Sequence, residues 1–309
     1  MLPEGTPIPH PSTVYYSFAP RNTFSESAKR YNCKIQLQYK IQRRQLRAYH
    51  VDAHFCNALR RYMQPYCCEM RTLYGNVKLL SCDDKAKIKF GEPNHHLATI
   101  QRNRPGIVPK SATLAAEDHD VNNKGSLTPS VVLDVEIPQD ADDSFYVGQV
   151  YTMLQCSIYE PSNSFRAVLQ MGSVARSSTN WEQTNILVVY TDGGPERMIT
   201  HESVKVPLCT LFRRNPNLDI IIALRTAPGQ SYVNYVERIM SILNIALQNC
   251  SLSREQAPLL IEKVIDTCSS WEDFRQHPEI RDDWAASIRQ LRKKIIDRFG
   301  RLSLKDVPI

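Results

Sequence analysis

Apolar positions along the chain follow the helical period in some segments, fall in short bounded clusters in others, and twice form unbroken runs. Val51, Phe55, Leu59 and Tyr62 return at three- and four-residue steps, which predicts a helix over residues 35–66 with these four on its apolar face. From Asn76 the texture changes to short apolar clusters between turn residues. NVKLLSCDDKAKIKFGEP predicts strands over 77–82 and 86–90 with Asp83 and Asp84 between them. Residues 130–138 and 145–158 read as further strands, and 162–177 as a helix. NILVVYTDGGP and LDIIIALR hold the unbroken runs, 186–190 and 218–225. A strand without alternation suits a sheet covered by helices on both faces.

Between those two runs, residues 200–212 predict a helix with Thr200 as its N-cap, Glu202 in its first turn, and Arg213 and Arg214 at its end, in keeping with the helix dipole. A second helix follows in RTAPGQSYVNYVERIMSILN. It is apolar around most of its circumference, but Asn234, Glu237, Ser241, Asn244 and Gln248 recur at three- and four-residue steps as one thin polar stripe. An ordinary surface helix carries a broad charged face, so this stripe marks Glu237 as a side chain aimed into a crevice. The chain from about residue 251 onward is helical and basic, with Ile288, Leu291, Ile295, Ile296 and Phe299 on an apolar face. Residues 1–30, rich in Pro, Ser and Thr, read as an extended arm, and residues 92–125 as a long polar insertion.

Composition narrows the class. A 309-residue chain that is 42% hydrophobic has enough apolar surface for a substantial core. Its nine cysteines, an odd number with no C-x-x-C pair, suggest free buried thiols in a reducing compartment rather than a zinc or disulfide framework. The proline-bearing N-terminus has no secretory apolar core, and no segment is apolar for long enough to span a bilayer, so an intracellular protein without membrane attachment is expected. The net charge of +6 is modest, but its distribution is uneven. Lys40, Arg43, Arg44, Arg47, Arg60 and Arg61 face a single acid, Asp52, and residues 289–305 hold seven Lys or Arg against Asp297. The first stretch is a solvated helix face, and the second a packed amphipathic helix, unless they serve nucleic-acid phosphates, with Arg43, Arg44, Arg47, Lys293, Lys294 and Arg298 as the candidate contacts. No Walker A, G-x-G-x-x-G or G-x-S-x-G sequence is present, which argues against the common nucleotide-binding and hydrolase classes.

Three acids share one setting, the edge of an apolar element: Asp83 and Asp192 after strands, and Glu237 at the start of a helix. In α/β sheets such positions line the ligand crevice. Carboxylates converging there repel one another unless a cation compensates them, and hard divalent ions take oxygen ligands of this kind.

SCDDKAKIKFG, TDGGP and APGQSYVNYVER, in that order, resemble the three acidic motifs of DDE transposases and integrases, which share the ribonuclease H fold. The fuller wording, DDK, TDGGP and NxVER, is similar to a group of transposon-derived animal proteins. The resemblance implies catalytic acids at Asp83, Asp192 and Glu237, with Asp84 beside them in the metal set and Asn234 and His201 in support. It implies two Mg²⁺ or Mn²⁺ ions, metal-dependent cleavage and transfer of DNA strands, DNA as partner, a possible homo-oligomer, and the nucleus as location in a eukaryote. Gly193 stands where the family has Asn, Tyr235 where it has Pro, and 44 residues separate Asp192 from Glu237 (237 − 192 − 1). The expected architecture is an α/β, ribonuclease H-like mixed sheet flanked by helices. An arm and basic helical segment would occupy residues 1–70, the core 71–250 with an insertion about 92–128, and a basic helical segment 251–309. The alternative from another class is a domesticated module on the same fold that binds DNA or protein without catalysis.

Overall fold

The computed structural model describes residues 9–18, 50–98, 108–115, 124–304 and 307–308. The chain divides into two compact units, residues 1–47 and 48–309. In the first, Pro11–Phe18 form a short helix, α1, where an extended arm was expected. Pro11 opens it at a position where the missing N–H costs nothing and the fixed φ is already helical.

The second unit begins with α2, Ala53–Tyr74, ended by Gly75 at a left-handed φ of 75°. Its buried side is Ala53, Cys56, Met63, Cys67 and Cys68. The predicted apolar face is therefore one residue out of register: Phe55 is 64% exposed and Tyr62 73%, with Val51 and Leu59 exposed as well. Two interleaved sets of positions both satisfy helical spacing here. The sheet takes the set with smaller side chains, which lets α2 pack closely on the strands.

Strand β1, Val77–Asp84, runs straight through the acidic pair, so Asp83 and Asp84 belong to the strand rather than to a turn. After residues 85–87 the short β2, Ile88–Lys89, continues along the same neighbour. Part of the expected polar insertion is strand: β3, His95–Ala98, and β4, Thr113–Ala115. The long β5, Ser126–Val135, and β6, Gly148–Cys156, form an antiparallel pair. Then follow α3, Ser164–Ser177; β7, Ile186–Thr191; α4, Glu202–Arg214, with His201 rather than Thr200 at the N-cap; and β8, Ile220–Arg225. After a single 3₁₀ turn, Ser231–Val233, α5 spans Glu237–Ala246. The chain continues with β9, Ser251–Leu252, which pairs with β3. Four helices come next: α6, Leu259–Thr267; α7, Trp271–Gln276; α8, Arg281–Ser287; and α9, Arg289–Phe299.

The main sheet runs β6-β5-β1-β7-β8, with β2 sharing the β5 edge with β1. In strand-by-strand terms this is the order 3-2-1-4-5. The second strand is antiparallel to the first, and the first, fourth and fifth are mutually parallel. This is the ribonuclease H-like arrangement. All three strands expected to lie together, β1, β7 and β8, do so.

Alternate residues of each strand face two helical layers. Leu80, Cys82, Leu187 and Val189 pack with α3 and α4 through Val168, Met171, Val174 and Leu211. Leu79, Val131, Val188 and Tyr190 pack on the opposite face with α2, α5 and the C-terminal helices. Trp284, fully buried, joins the layers of that side by meeting Phe90 and Phe274. Among the described residues no helix is long and apolar enough to cross a membrane.

Because α7, α8 and α9 share the core of the sheet, Trp284→Ala should destabilise the whole unit by about 3–5 kcal/mol. Chemical denaturation followed by circular dichroism should show one transition moved to lower denaturant, and an early separate step for the C-terminal helices would contradict this.

Candidate functional site

The site is built where β1 and β7 end side by side. Their parallel register pairs Cys82 with Thr191, so Asp83 and Asp192 occupy corresponding next positions on neighbouring strands. Asp83 is buried, and its Oδ1 accepts the Asp84 N–H at 2.7 Å. Asp192 Oδ1 accepts the Gly194 N–H at 3.1 Å. The TDGGP wording has a local cause. Gly193 sits at φ 76°, and a Cβ on Gly194 would come within 3.2 Å of the Asp192 carboxylate. Two glycines therefore give this carboxylate both its turn and its room.

Glu237 is brought in by Asn234. This fully buried side chain donates to the Cys82 carbonyl at 3.1 Å and accepts the Ser81 hydroxyl, fixing the approach to α5 onto the last turns of β1. Glu237 then lies three residues further on, at the start of α5, with Oε1 accepting from the Ser231 hydroxyl at 3.0 Å. Of the expected polar stripe, Asn234 precedes α5 and Gln248 follows it, Ser241 and Asn244 are exposed on the helix, and Asn244 accepts from Lys85 Nζ. Lys85 is itself buried, and burial pulls its ammonium below the usual range, partly offset by the Glu237 charge.

The like charges are felt. Burial first, then the Asp192 charge and to a smaller degree that of Glu237, push the Asp83 carboxyl up to about 7 against the pull of Arg197.

Asp84, expected in the same ligand set, turns the other way, because successive side chains of a strand point to opposite faces. Its Oδ1 meets Arg197 at 2.7 Å, and its Oδ2 meets Arg166 at 2.7 Å and the Ser162 hydroxyl at 3.1 Å. Burial raises the Asp84 carboxyl, but the two guanidiniums outweigh it and hold the group below its ordinary value. Asp84 is thus an ion-pair anchor on the α3 side. Arg197 is only 3% exposed, comes within 3.8 Å of Asp83, and leaves its Nε without a hydrogen-bond partner. Neither Arg197 nor Arg166 stood out in the sequence. The available signal was Arg197 two residues beyond TDGGP, after Glu196.

The remaining expected residues divide. Lys294 donates to the Ser251 carbonyl at 2.7 Å, and Arg298 to the Ala246 and Gln248 carbonyls at 3.0 and 3.2 Å. Arg298 thus caps the far end of α5, about 15 Å from Glu237 by helix rise, and Lys294 holds the start of β9. Lys293 is exposed. His201 is exposed at the start of α4, and among the described residues no contact links its ring to the acids. Arg43, Arg44 and Arg47 lie outside the described residues.

As arranged, no three His, Cys, Asp or Glu side chains among the described residues stand close enough to share one ion. The donor chemistry nonetheless suits a hard divalent cation. Each of the three carboxylates is anchored through one oxygen, while Asp83 Oδ2, Asp192 Oδ2 and Glu237 Oε2 have no hydrogen-bond partner among the described residues.

No family profile and no curated protein sequence matches the chain. Among solved structures it is similar to the Mos1 mariner paired end complex with Mn, at 12% identity and a TM-score of 0.38 over 86% of this chain and 68% of that one. It is also similar to the Mos1 transposase paired-end complex with left transposon end, at 12% identity and a TM-score of 0.39 over 82% and 68%.

The raised Asp83 carboxyl predicts a pH effect. A carboxyl that ionises later in the folded than in the unfolded chain adds stability below its ordinary value near 3.8, and this is lost as pH climbs to about 7. Asp83→Asn should therefore gain on the wild type between those values, by at most about 1.4 kcal/mol per pH unit. Melting curves of both proteins at each pH test this, and a pH-independent difference would contradict it.

Proposed function

We propose that the chain is a DDE-type transposase or integrase-like core that cleaves and transfers DNA strands, with Asp83, Asp192 and Glu237 as the residues that hold divalent Mg²⁺ or Mn²⁺. The observation that carries this reading is the gathering of like charges at one sheet end, with Asp83 buried and Asp192 and Glu237 partly buried beside it. Asp83 and Asp192 share a strand register, and Asn234 ties the third acid to β1. A fold has no structural use for such an arrangement, since repulsion and desolvation both oppose it. A cation bound there would offset both.

Two such ions, when bound, supply activation of the attacking oxygen and stabilisation of the leaving one in an in-line phosphoryl transfer. The protein's part is positioning. Asp83 and Asp192 are fixed by strand register, and each keeps one oxygen tied to backbone so that the other is presented in a set direction. Arg197 and Arg166 clamp Asp84 and so hold the end of β1 in place. Lys85, bound to Asn244 and near Glu237, adds a cation beside the third acid. Exposed Lys293 is the basic candidate of α9 left for DNA phosphates.

A second reading, a domesticated DNA- or protein-binding module without catalysis, is favoured by one observation. The guanidinium of Arg197 stands 3.8 Å from Asp83, where it already supplies part of the compensating charge.

Nicking of supercoiled DNA in Mn²⁺ or Mg²⁺ separates the two. The wild type should nick, and Glu237→Gln should lose at least about a hundredfold in rate, the scale on which removal of a group acting in the transition state is felt. Equal nicking by both proteins, or none by the wild type, would sink the catalytic reading.

A further inference from the structure

Strand β8 has the composition of a central strand and the position of an edge one. Its sequence, Ile220-Ile221-Ile222-Ala223-Leu224-Arg225, was expected to be covered, yet among the described residues it pairs only with β7, and Ile220 is 42% exposed. Natural edge strands are usually blunted by lysine, proline, a bulge or shortness. The five residues before Arg225 carry none of these devices.

The ladder fixes which groups are free. Ile220 N–H bonds to the Asn185 carbonyl and Thr226 N–H to the Thr191 carbonyl, so even-numbered residues turn their backbone groups toward β7. Ile221 and Ala223 direct their N–H and C=O groups outward, and no partner for them exists among the described residues. Beside this edge lies a groove of about 1000 Å³ between β8 and α4. Val206, 54% exposed, and Phe212, 38% exposed, stand along it, with the exposed thiol of Cys209 between them.

We propose that this edge is a two-fold interface with a second copy of the chain, β8 pairing antiparallel with its own image about an axis at Ile222. That register sets Ile221 opposite the second copy's Ala223, so the four outward-facing groups on each strand satisfy one another. The charges agree. A helix connecting parallel strands runs antiparallel to them, so Arg213 at the end of α4 lies near Asp219, while Glu202 and Lys205 lie at the other end of the groove. A two-fold axis brings Arg213 against the second copy's Glu202, and Asp219 against its Lys205. Val206 and Phe212 of both copies close the groove as an isologous apolar contact. Cys209, midway along α4, falls near the axis.

Sedimentation velocity of the full chain at micromolar concentrations tests the assignment, together with cross-linking by a short bis-maleimide. The wild type should sediment as a dimer and cross-link through Cys209, and Cys209→Ser should remain dimeric but lose the cross-link. Ala223→Pro removes an outward N–H and leaves the ladder to β7 intact, and Phe212→Glu puts a carboxylate into the apolar contact. Each should weaken dimerisation about tenfold or more with an unchanged circular dichroism spectrum. Phe212→Glu, on a helix surface, keeps the test valid if the proline variant fails to fold. A monomeric wild type overturns the assignment, whether its Cys209 reacts freely or is shielded by the chain's own remaining residues, and so does a dimer that survives both substitutions.

Discussion

Asp83 and Asp192 stand next to each other because Cys82 pairs with Thr191, and that one register between two parallel strands governs the rest of the site. Once the strands are locked by the apolar runs that fill both faces, the acids that follow them have no freedom to separate. The neighbouring features answer the resulting repulsion and burial. Two glycines open space for Asp192, Arg197 leans toward Asp83, and Asp84 is turned to the opposite face and neutralised by two guanidiniums. A slip of the register by one residue would exchange Asp83 for Asp84 on the α5 side, putting the ion-paired carboxylate where the free one belongs.

Asn234 is the second constraint. Its two hydrogen bonds to β1 convert the start of α5 from an apolar packing element into a device that fixes Glu237 relative to Asp83. Removing the amide would leave the Ser81 hydroxyl and the Cys82 carbonyl unpaired in a dry interior, a cost of about 1–3 kcal/mol for each buried group. The polar residues leading into and along α5 thus have a division of labour. Asn234 anchors, Glu237 presents a carboxylate, and Asn244 holds Lys85.

Much of this was legible in the sequence. The unbroken run of β7, the strand-breaking TDGGP and the apolar pattern of α5 predict their elements, and the resemblance of the acidic motifs implies the mixed sheet that joins them. What was not legible depends on choices between equivalent patterns. On α2 two residue sets share helical spacing, and only the shape of the sheet selects Cys56, Met63 and Cys67 over Phe55, Leu59 and Tyr62. In β8 a continuous apolar run looks the same whether the strand is central or at an edge. Asp83 and Asp84 are adjacent and identical in type, and only strand alternation separates a free carboxylate from an ion-paired one. The basic residues of α9 read as a phosphate surface until Lys294 and Arg298 are seen to cap backbone carbonyls. Long-range pairings such as Arg197 with Asp84, 113 residues apart, leave no local signature.

The account stands on the claim that the converging acids are kept for a divalent cation. Calorimetric titration of the wild type and of Asp192→Asn with Mn²⁺ at neutral pH measures this directly, free of any DNA or turnover. Saturable binding by the wild type, accompanied by proton release as Asp83 ionises and abolished in Asp192→Asn, is the predicted result. Equal binding by both proteins, or none by the wild type, would contradict it.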